Sequence, residues 1–441
     1  MQNDKITLKD LSIFTQAEGD VFSLIDHTTT QAGRDALKKH IKEPPDTFEQ
    51  LRDFQQMIRW WAAHPDKWTQ TISNGTLIML EKFFESADNL SSPPTGMMLV
   101  LGAFLQKLLN KNQYTFVQFS LTHLTDFLKG CTELAALLKE DIPPFLAMEL
   151  DMVNKELEHP AVSAIINVSP KTSYSDLSRL SFRARRELKG TITRLLIHYS
   201  RLDAWQSMGK ATTIHKWHFP ELSGPSPLRF EAHGLYHPLL SRPVAYDITF
   251  NQHQNFLLLT GANMSGKTTF MRALGVGALM AHLGMGVPAA GMHISFLQGI
   301  VTNMHVEDNI LRGESYFFAE VQRMKQTAQK LTGDQPHLVL MDELFKGTNV
   351  HDAYECTRAV VEGLLKHPQH LMILSTHLHE VAHHFSSYSN ILFSYFVTNM
   401  AENGEFRFTY ELKQGISNDR IGYRILLQEG VIDLLNRKAS S

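Results

Sequence analysis

Cysteine is nearly absent from this chain: Cys131 and Cys356 are the two in 441 residues. Two thiols so far apart give neither a disulfide framework nor a metal-binding spacing, and their scarcity suits a reducing compartment. A long apolar run is missing too. Residues 97–105 are too few to span a bilayer, and the apolar stretch after Lys267 is interrupted by Arg272 and His282. The opening residues Met1-Gln2-Asn3-Asp4-Lys5 are polar and mixed in charge, unlike a secretory leader, so a cytoplasmic location away from membranes is expected. Nor does one sign of charge dominate. A net charge of −3 neither announces nor excludes a nucleic-acid partner, because local patches matter more than the sum. What remains is an ordinary globular composition, 43% hydrophobic and 20% charged, long enough for two or three domains and a large core.

Two regions of different character meet at Leu222-Ser223-Gly224-Pro225-Ser226-Pro227, a linker-like composition. Residues 1–225 repeat apolar side chains every three or four positions and predict an all-helical domain. Leu177, Leu180, Ala184, Leu188, Ile192 and Leu195 form one such stripe. Residues 226–441 alternate short β-rich runs with helical stretches, which predicts a largely parallel sheet covered by helices. The runs 391–397 and 406–410, joined by Glu402-Asn403-Gly404, predict a late antiparallel hairpin.

The most specific local signal is Gly261-Ala262-Asn263-Met264-Ser265-Gly266-Lys267-Thr268-Thr269, which fits G-x-x-x-x-G-K-[ST]. It follows the apolar run 256–259 and leads into a helical stretch over 268–283, the strand–loop–helix context that a phosphate-binding loop needs. Glycines 261 and 266 let successive N–H groups turn toward phosphate oxygens, and the helix N-terminus adds positive potential. Lys267 would reach the β- and γ-phosphates of ATP, and the Thr268 hydroxyl would ligate Mg²⁺.

Two further apolar runs end in chemistry. His337-Leu338-Val339-Leu340-Met341 delivers Asp342 and Glu343 at the carboxyl end of a buried strand, the edge where parallel sheets bind ligands. Asp342 would serve the metal and Glu343 the attacking water, in a reaction dominated by positioning and charge neutralisation. Leu371-Met372-Ile373-Leu374-Ser375-Thr376 ends in His377, placed to sense or stabilise the γ-phosphate. Between these motifs, Ser315 reads as the N-cap of a helix reaching Lys330, a helix start able to present free N–H groups to an anion.

In this order the residues resemble the ATPase domain of the MutS family of DNA mismatch-repair proteins, a branch of the ABC-type ATPases. The phosphate loop with its Asn263-Met264 pair, Leu340-Met341-Asp342-Glu343-Leu344-Phe345-Lys346-Gly347-Thr348-Asn349, and Ser375-Thr376-His377 followed by His379-Glu380 are similar to that family's nucleotide motifs. Gly313-Glu314-Ser315-Tyr316-Phe317 falls where the family carries its signature segment. The likeness is dense over 226–430 and patchy but collinear over 1–225, where 24–34 and 199–204 resemble parts of the family's helical core and lever. Leu235-Tyr236-His237-Pro238 and Ile421-Gly422-Tyr423 resemble the entry and close of the ATPase domain. The resemblance implies an α/β ABC-type P-loop ATPase domain preceded by an all-α core and lever domain. It also implies a homodimer with composite ATP sites, Ser315 acting across the dimer. Two features depart from the pattern: Phe345-Lys346 stands for the family's Gly-Arg, and Glu314 for a basic residue. The chain also enters the core domain almost at once, so mismatch reading by this chain alone is not expected, and a protein partner could supply recognition.

Residues 171–201 hold eight basic side chains against two acidic ones. Of these, Arg179, Arg183, Arg185, Arg186 and Lys189 are the candidates for sequence-independent contact with a DNA backbone. The expected function is therefore a MutS-like DNA-binding ATPase in mismatch repair or a related maintenance process. The alternative is an ATP-gated protein-interaction scaffold that does not bind DNA.

Overall fold

The computed structural model describes residues 3–15, 19–86, 111–169, 172–262, 264–304, 316–400, 406–417, 426 and 430–436. The chain divides into two compact units: Leu24–Ile41 with Asp53–His215, and Met1–Ser23, Lys42–Arg52 and Lys216–Ser441. This differs from the linear division at 225: the boundary falls between His215 and Lys216, so that residues 222–227 lie inside the second unit, and Met1–Ser23 and Lys42–Arg52 join that unit as well. A short helix α1 (Lys5–Asp10) belongs with the C-terminal residues. Its Thr7 hydroxyl donates to the Ile300 carbonyl at 3.4 Å, and its buried Asp10 accepts from the Thr302 hydroxyl at 2.6 Å.

The helices that follow are α2 (Val21–Ile25), α3 (Gln31–Lys42), α4 (Phe48–Ala63), α5 (Asn74–Glu85), α6 (Lys111–Ala135), α7 (Pro144–Leu157), α8 (Pro160–Ile165), α9 (Tyr174–Arg183) and α10 (Lys189–Ile214). The predicted stripe is buried at Leu177, Ala184, Leu188, Ile192 and Leu195. It does not lie on one continuous α-helix, because a π-helical turn over Ala184–Leu188 separates α9 from α10. Asp203 on α10 is fully buried and takes the backbone N–H groups of Thr29 and Thr30 at 2.8 and 2.9 Å. The carboxylate thereby satisfies donors at the start of α3 that would otherwise be orphaned.

The C-terminal unit contains two sheets. The smaller has the order β1-β5-β2-β3, from Glu221–Ser223, Gly291–Ser295, Arg229–Leu235 and Tyr246–Asn251. The larger has the order β10-β9-β4-β8-β7-β6. It comprises β4 (Phe256–Thr260), β6 (Gly299–Asn303), β7 (His337–Asp342), β8 (Leu371–Thr376), β9 (Ile391–Met400) and β10 (Phe406–Gln414). Strands β9, β4, β8, β7 and β6 are mutually parallel, and only β10 runs antiparallel, so the predicted hairpin forms the sheet edge. Helices α11 (Lys267–His282), α12 (Tyr316–Lys330), α13 (Val350–Leu364), α14 (His379–His384) and α15 (Val431–Asn436) complete the unit. One face of the sheet buries Phe256, Leu258, Val339, Met341, Met372 and Leu374 with Val361 of α13 and Val381 of α14. On the other face, Leu340 meets Gly275 of α11. Burial on both faces explains why β4, β7 and β8 read as continuous apolar runs rather than alternating ones.

Candidate functional site

Register fixes the site. Thr260 pairs with Thr376 and Asp342 with Ser375, so β4, β8 and β7 end together on one edge. The loop after β4 turns through Gly266, whose φ of +105° favours glycine and whose Cβ, if present, would lie 3.2 Å from the Tyr410 ring. Lys267 then opens α11. Its side chain is 5% exposed and its amine donates to the carbonyls of Gly261 and Ala262 at 2.8 and 2.9 Å. Burial pushes this ammonium below the ordinary lysine range, while Glu343 and Asp342 oppose the shift.

Thr268 donates from its hydroxyl to Asp342 Oδ2 at 2.6 Å, and the Ser375 hydroxyl donates to Asp342 Oδ1. Glu343 follows in a left-handed conformation, φ +52°, its N–H donating to the Ser375 carbonyl at 3.0 Å. Its Oε1 lies 3.5 Å from Lys267 Nζ, while Oε2 lies 3.1 Å from Lys346 Nζ and 3.7 Å from His377 Nδ1. The His377 imidazole, then Lys346 and Lys267, hold the Glu343 carboxyl at about 2 against the cost of burial. A non-glycine residue held at positive φ costs roughly 1–3 kcal/mol. In that conformation the carboxylate lies among Lys267, Lys346 and His377.

The structure thus brings Lys267, Thr268, Asp342, Glu343 and His377 into one connected cluster. Met264 projects outward with 75% exposure, while Ser265 is buried with its hydroxyl unpartnered. Thr269 follows Thr268 in the first turn of α11. Asn263 and Ser315 lie outside the described residues. Sequence reasoning carries Ser375 only as part of the Ser375-Thr376-His377 motif, without its contact to Asp342, and it marks Lys346 only as a departure from the family pattern. The position of Ser375 opposite Asp342 depends on β7–β8 register, which no local pattern announces.

The hydroxyl and carboxylate pair of Thr268 and Asp342 is a hard-oxygen set of the kind Mg²⁺ prefers when phosphates and water complete its shell. An unpartnered buried hydroxyl at Ser265 and a lysine bonded only to loop carbonyls and a carboxylate are groups that a phosphate could satisfy. The residues fit a magnesium nucleotide.

In the helical unit the basic candidates separate. Arg179 pairs with Asp176 at 2.6 Å and Arg183 with Glu187 at 2.9 Å. Arg185 corrects the expectation of an outward face: its guanidinium sits 4.4 Å from the Phe83 ring centroid and donates to the Ser86 hydroxyl at 3.1 Å. Partial burial lowers its pKa, and it lies within the π-helical turn. Arg186 and Lys189 are exposed.

A parallel sheet whose strand ends gather a phosphate-type loop, a hydroxyl–carboxylate pair, a glutamate and an imidazole defines the class: an α/β protein of P-loop type. More particularly, the family model for MutS domain V matches residues 257–437, and this match together with the relatives below supports a MutS-family protein. The chain is similar to the DNA mismatch repair protein MSH7 of Arabidopsis thaliana, 29% identical over 47% of this chain and 20% of the relative. The DNA mismatch repair protein MutS 1 of Halobacterium salinarum is 28% identical over 58% of this chain and 30% of the relative. The DNA mismatch repair protein MutS of Streptococcus thermophilus is 29% identical over 43% of this chain and 22% of its own length. The matches therefore span less than a third of these curated relatives. Among the described residues, no helix is long and apolar enough to cross a membrane.

Proposed function

We propose that this chain is a DNA-associated ATPase of the MutS type, cytoplasmic and dimeric, in which ATP binding closes the dimer on DNA and hydrolysis reopens it. Mismatch repair or a related DNA-maintenance process is the setting that the relatives' names support. The single observation carrying the reading is the cluster of Lys267, Thr268, Asp342, Glu343 and His377, joined by contacts of 2.6 to 3.7 Å at one sheet edge.

In this reading Lys267 exchanges its loop carbonyls for phosphate oxygens, joined by the loop N–H groups of 261–266 and the side chains of Asn263 and Ser265. Thr268 and Asp342 hold Mg²⁺, which neutralises phosphate charge when bound. Ser375 keeps the Asp342 carboxylate aimed at that position. Glu343 orients water and accepts its proton as the water oxygen bonds to the γ-phosphorus and the bond from that phosphorus to the ADP oxygen breaks; His377 faces the same phosphoryl group. Ser315 completes the site of a second subunit. The helical unit serves as core and lever, with Arg186 and Lys189 its remaining outward candidates for DNA.

Replacing Glu343 by glutamine keeps its shape and removes its basicity. Glu343→Gln should bind ATP like the wild type and lose turnover by at least about 10²-fold. Undiminished hydrolysis would show that the base has been misassigned. A second reading, an ATP-gated protein-interaction scaffold without DNA, is favoured by the pairing of Arg179 and Arg183 with carboxylates and by the packing of half-buried Arg185 on the Phe83 ring. ATPase rates with homoduplex, mismatched and branched DNA across a salt range separate the two: stimulation supports the first reading and indifference the second.

A further inference from the structure

The loop after Glu343 is held by a carboxylate from a different element. Glu320, on the second turn of α12 and only 8% exposed, accepts the Lys346 N–H on Oε1 and the Gly347 N–H on Oε2, both at 3.1 Å. Contact here is close. A Cβ on Gly347 would lie 2.7 Å from the Phe317 nitrogen and 2.7 Å from the Tyr316 ring. The Phe317 and buried Phe345 rings pack with centroids 6.0 Å apart. Farther along α12, Arg323 donates to the Thr302 carbonyl at 2.6 Å and to Asn303 Oδ1 at 3.0 Å, tying the helix to the end of β6. The first turns of α12 and the turn 345–347 are therefore joined by hydrogen bonds and close packing. That turn carries Lys346, whose amine lies 3.1 Å from Glu343 Oε2.

We propose that Glu320 is a positioning residue: by clamping two successive N–H groups it sets where Lys346 sits, and Lys346 sets the orientation of the Glu343 carboxylate. This rests on the ATPase reading and deepens it, because it makes the position of α12 a control on hydrolysis rather than on nucleotide binding. The phosphate loop belongs to β4 and α11 and shares no hydrogen bond with Glu320 among the described residues. A carboxylate suits the clamp because both of its oxygens accept. An amide offers one acceptor and turns a donor toward the other N–H, so Glu320→Gln breaks half of the clamp without changing its volume.

The test compares wild type, Glu320→Gln and Lys346→Met by titration with a fluorescent ATP analogue, single-turnover ATP hydrolysis and thermal unfolding. Both variants should bind the nucleotide within about threefold of wild type, and hydrolyse it at least about tenfold more slowly. A purely structural role for Glu320 would lower the melting temperature and the affinity together, and that result overturns the proposal. So does a wild-type hydrolysis rate in either variant. Lys346→Met leaves the clamp and the backbone intact, so it keeps the test decisive if Glu320→Gln fails to fold. A wild-type protein that binds ATP without ever hydrolysing it removes the ATPase reading and this proposal together. An active wild type with equally active variants removes the proposal alone.

Discussion

Three histidines carry a pH dependence that their neighbours dictate atom by atom. His282 is fully buried on α11, and its Nε2 lies 2.7 Å from the Leu297 nitrogen. That backbone group can only donate, so Nε2 is the acceptor and Nδ1 carries the proton given to the Ala278 carbonyl at 2.8 Å. His370 is bound the same way, accepting from the His337 N–H on Nδ1 and donating from Nε2 to the Leu331 carbonyl. His237 is buried beside Arg272. Burial pushes all three from 6.5 to about 4. Because the folded value lies below the unfolded one, the stability these residues contribute is complete above pH 6.5 and is lost as pH falls through 4. Each unbound proton costs about 1.4 kcal/mol per pH unit inside that window. Urea unfolding should therefore show a stability drop of a few kcal/mol between pH 7 and pH 5, and His370→Gln should flatten it by about one proton. A curve that stays level over that range would mean that the imidazoles are accessible to water.

At the scale of elements, the segments readable from sequence are those whose burial is local in pattern. Strands β4, β7 and β8 are five or six residues long, apolar almost throughout, and end in Thr260, Asp342 and Thr376; α11 begins one residue ahead of the predicted start. Hence the lysine, the two acids and the imidazole are assignable to one edge from the order of residues alone. What the sequence does not reveal depends on partners hundreds of residues away. Asn3 accepts from the Ile300 N–H at 3.3 Å, and Leu11 packs against Gly275; neither contact leaves a period in the N-terminal sequence. The π-turn at Ala184–Leu188 is likewise invisible, since Ala184 and Leu188 keep their places in the buried stripe. The contact between α11 and the N-terminal segment is tight enough to test. A Cβ on Gly275 would overlap Leu11 Cδ2 and sit 2.9 Å from Leu340 Cδ1. Gly275→Ala should destabilise the protein by about 1–3 kcal/mol despite alanine's better helix propensity. Adding Leu11→Ala should recover part of that loss, giving a coupling energy of at least about 0.5 kcal/mol in a double-mutant cycle. Strict additivity of the two changes would show that this contact is absent in solution.

For the molecule as a whole, binding of DNA by the helical unit would rest on a few exposed side chains. A net charge of −3 supplies no general attraction, so any affinity must come from particular side chains. The structure narrows them. Arg179 and Arg183 have carboxylate partners, as do Arg194 with Glu156 at 2.5 Å and Arg201 with Glu149 at 3.6 Å. Moving such a guanidinium to a phosphate gives up an existing pair, whereas Arg186 and Lys189 form no ion pair among the described residues. Each phosphate neutralised contributes roughly 0.9 to the slope of log K against log salt for duplex DNA. The double change Arg186→Gln with Lys189→Gln should therefore weaken duplex binding at low salt and reduce that slope by about 2, the loss being uniform across DNA sequences. Arg179→Gln with Arg183→Gln should change the slope by less, because those charges are already compensated. The first double variant should keep its ATPase rate without DNA and lose the stimulation by DNA, since it touches neither the phosphate loop nor its metal pair. If both double variants bind duplex DNA with an unchanged salt slope, this helix does not face the backbone, and the scaffold reading gains the ground.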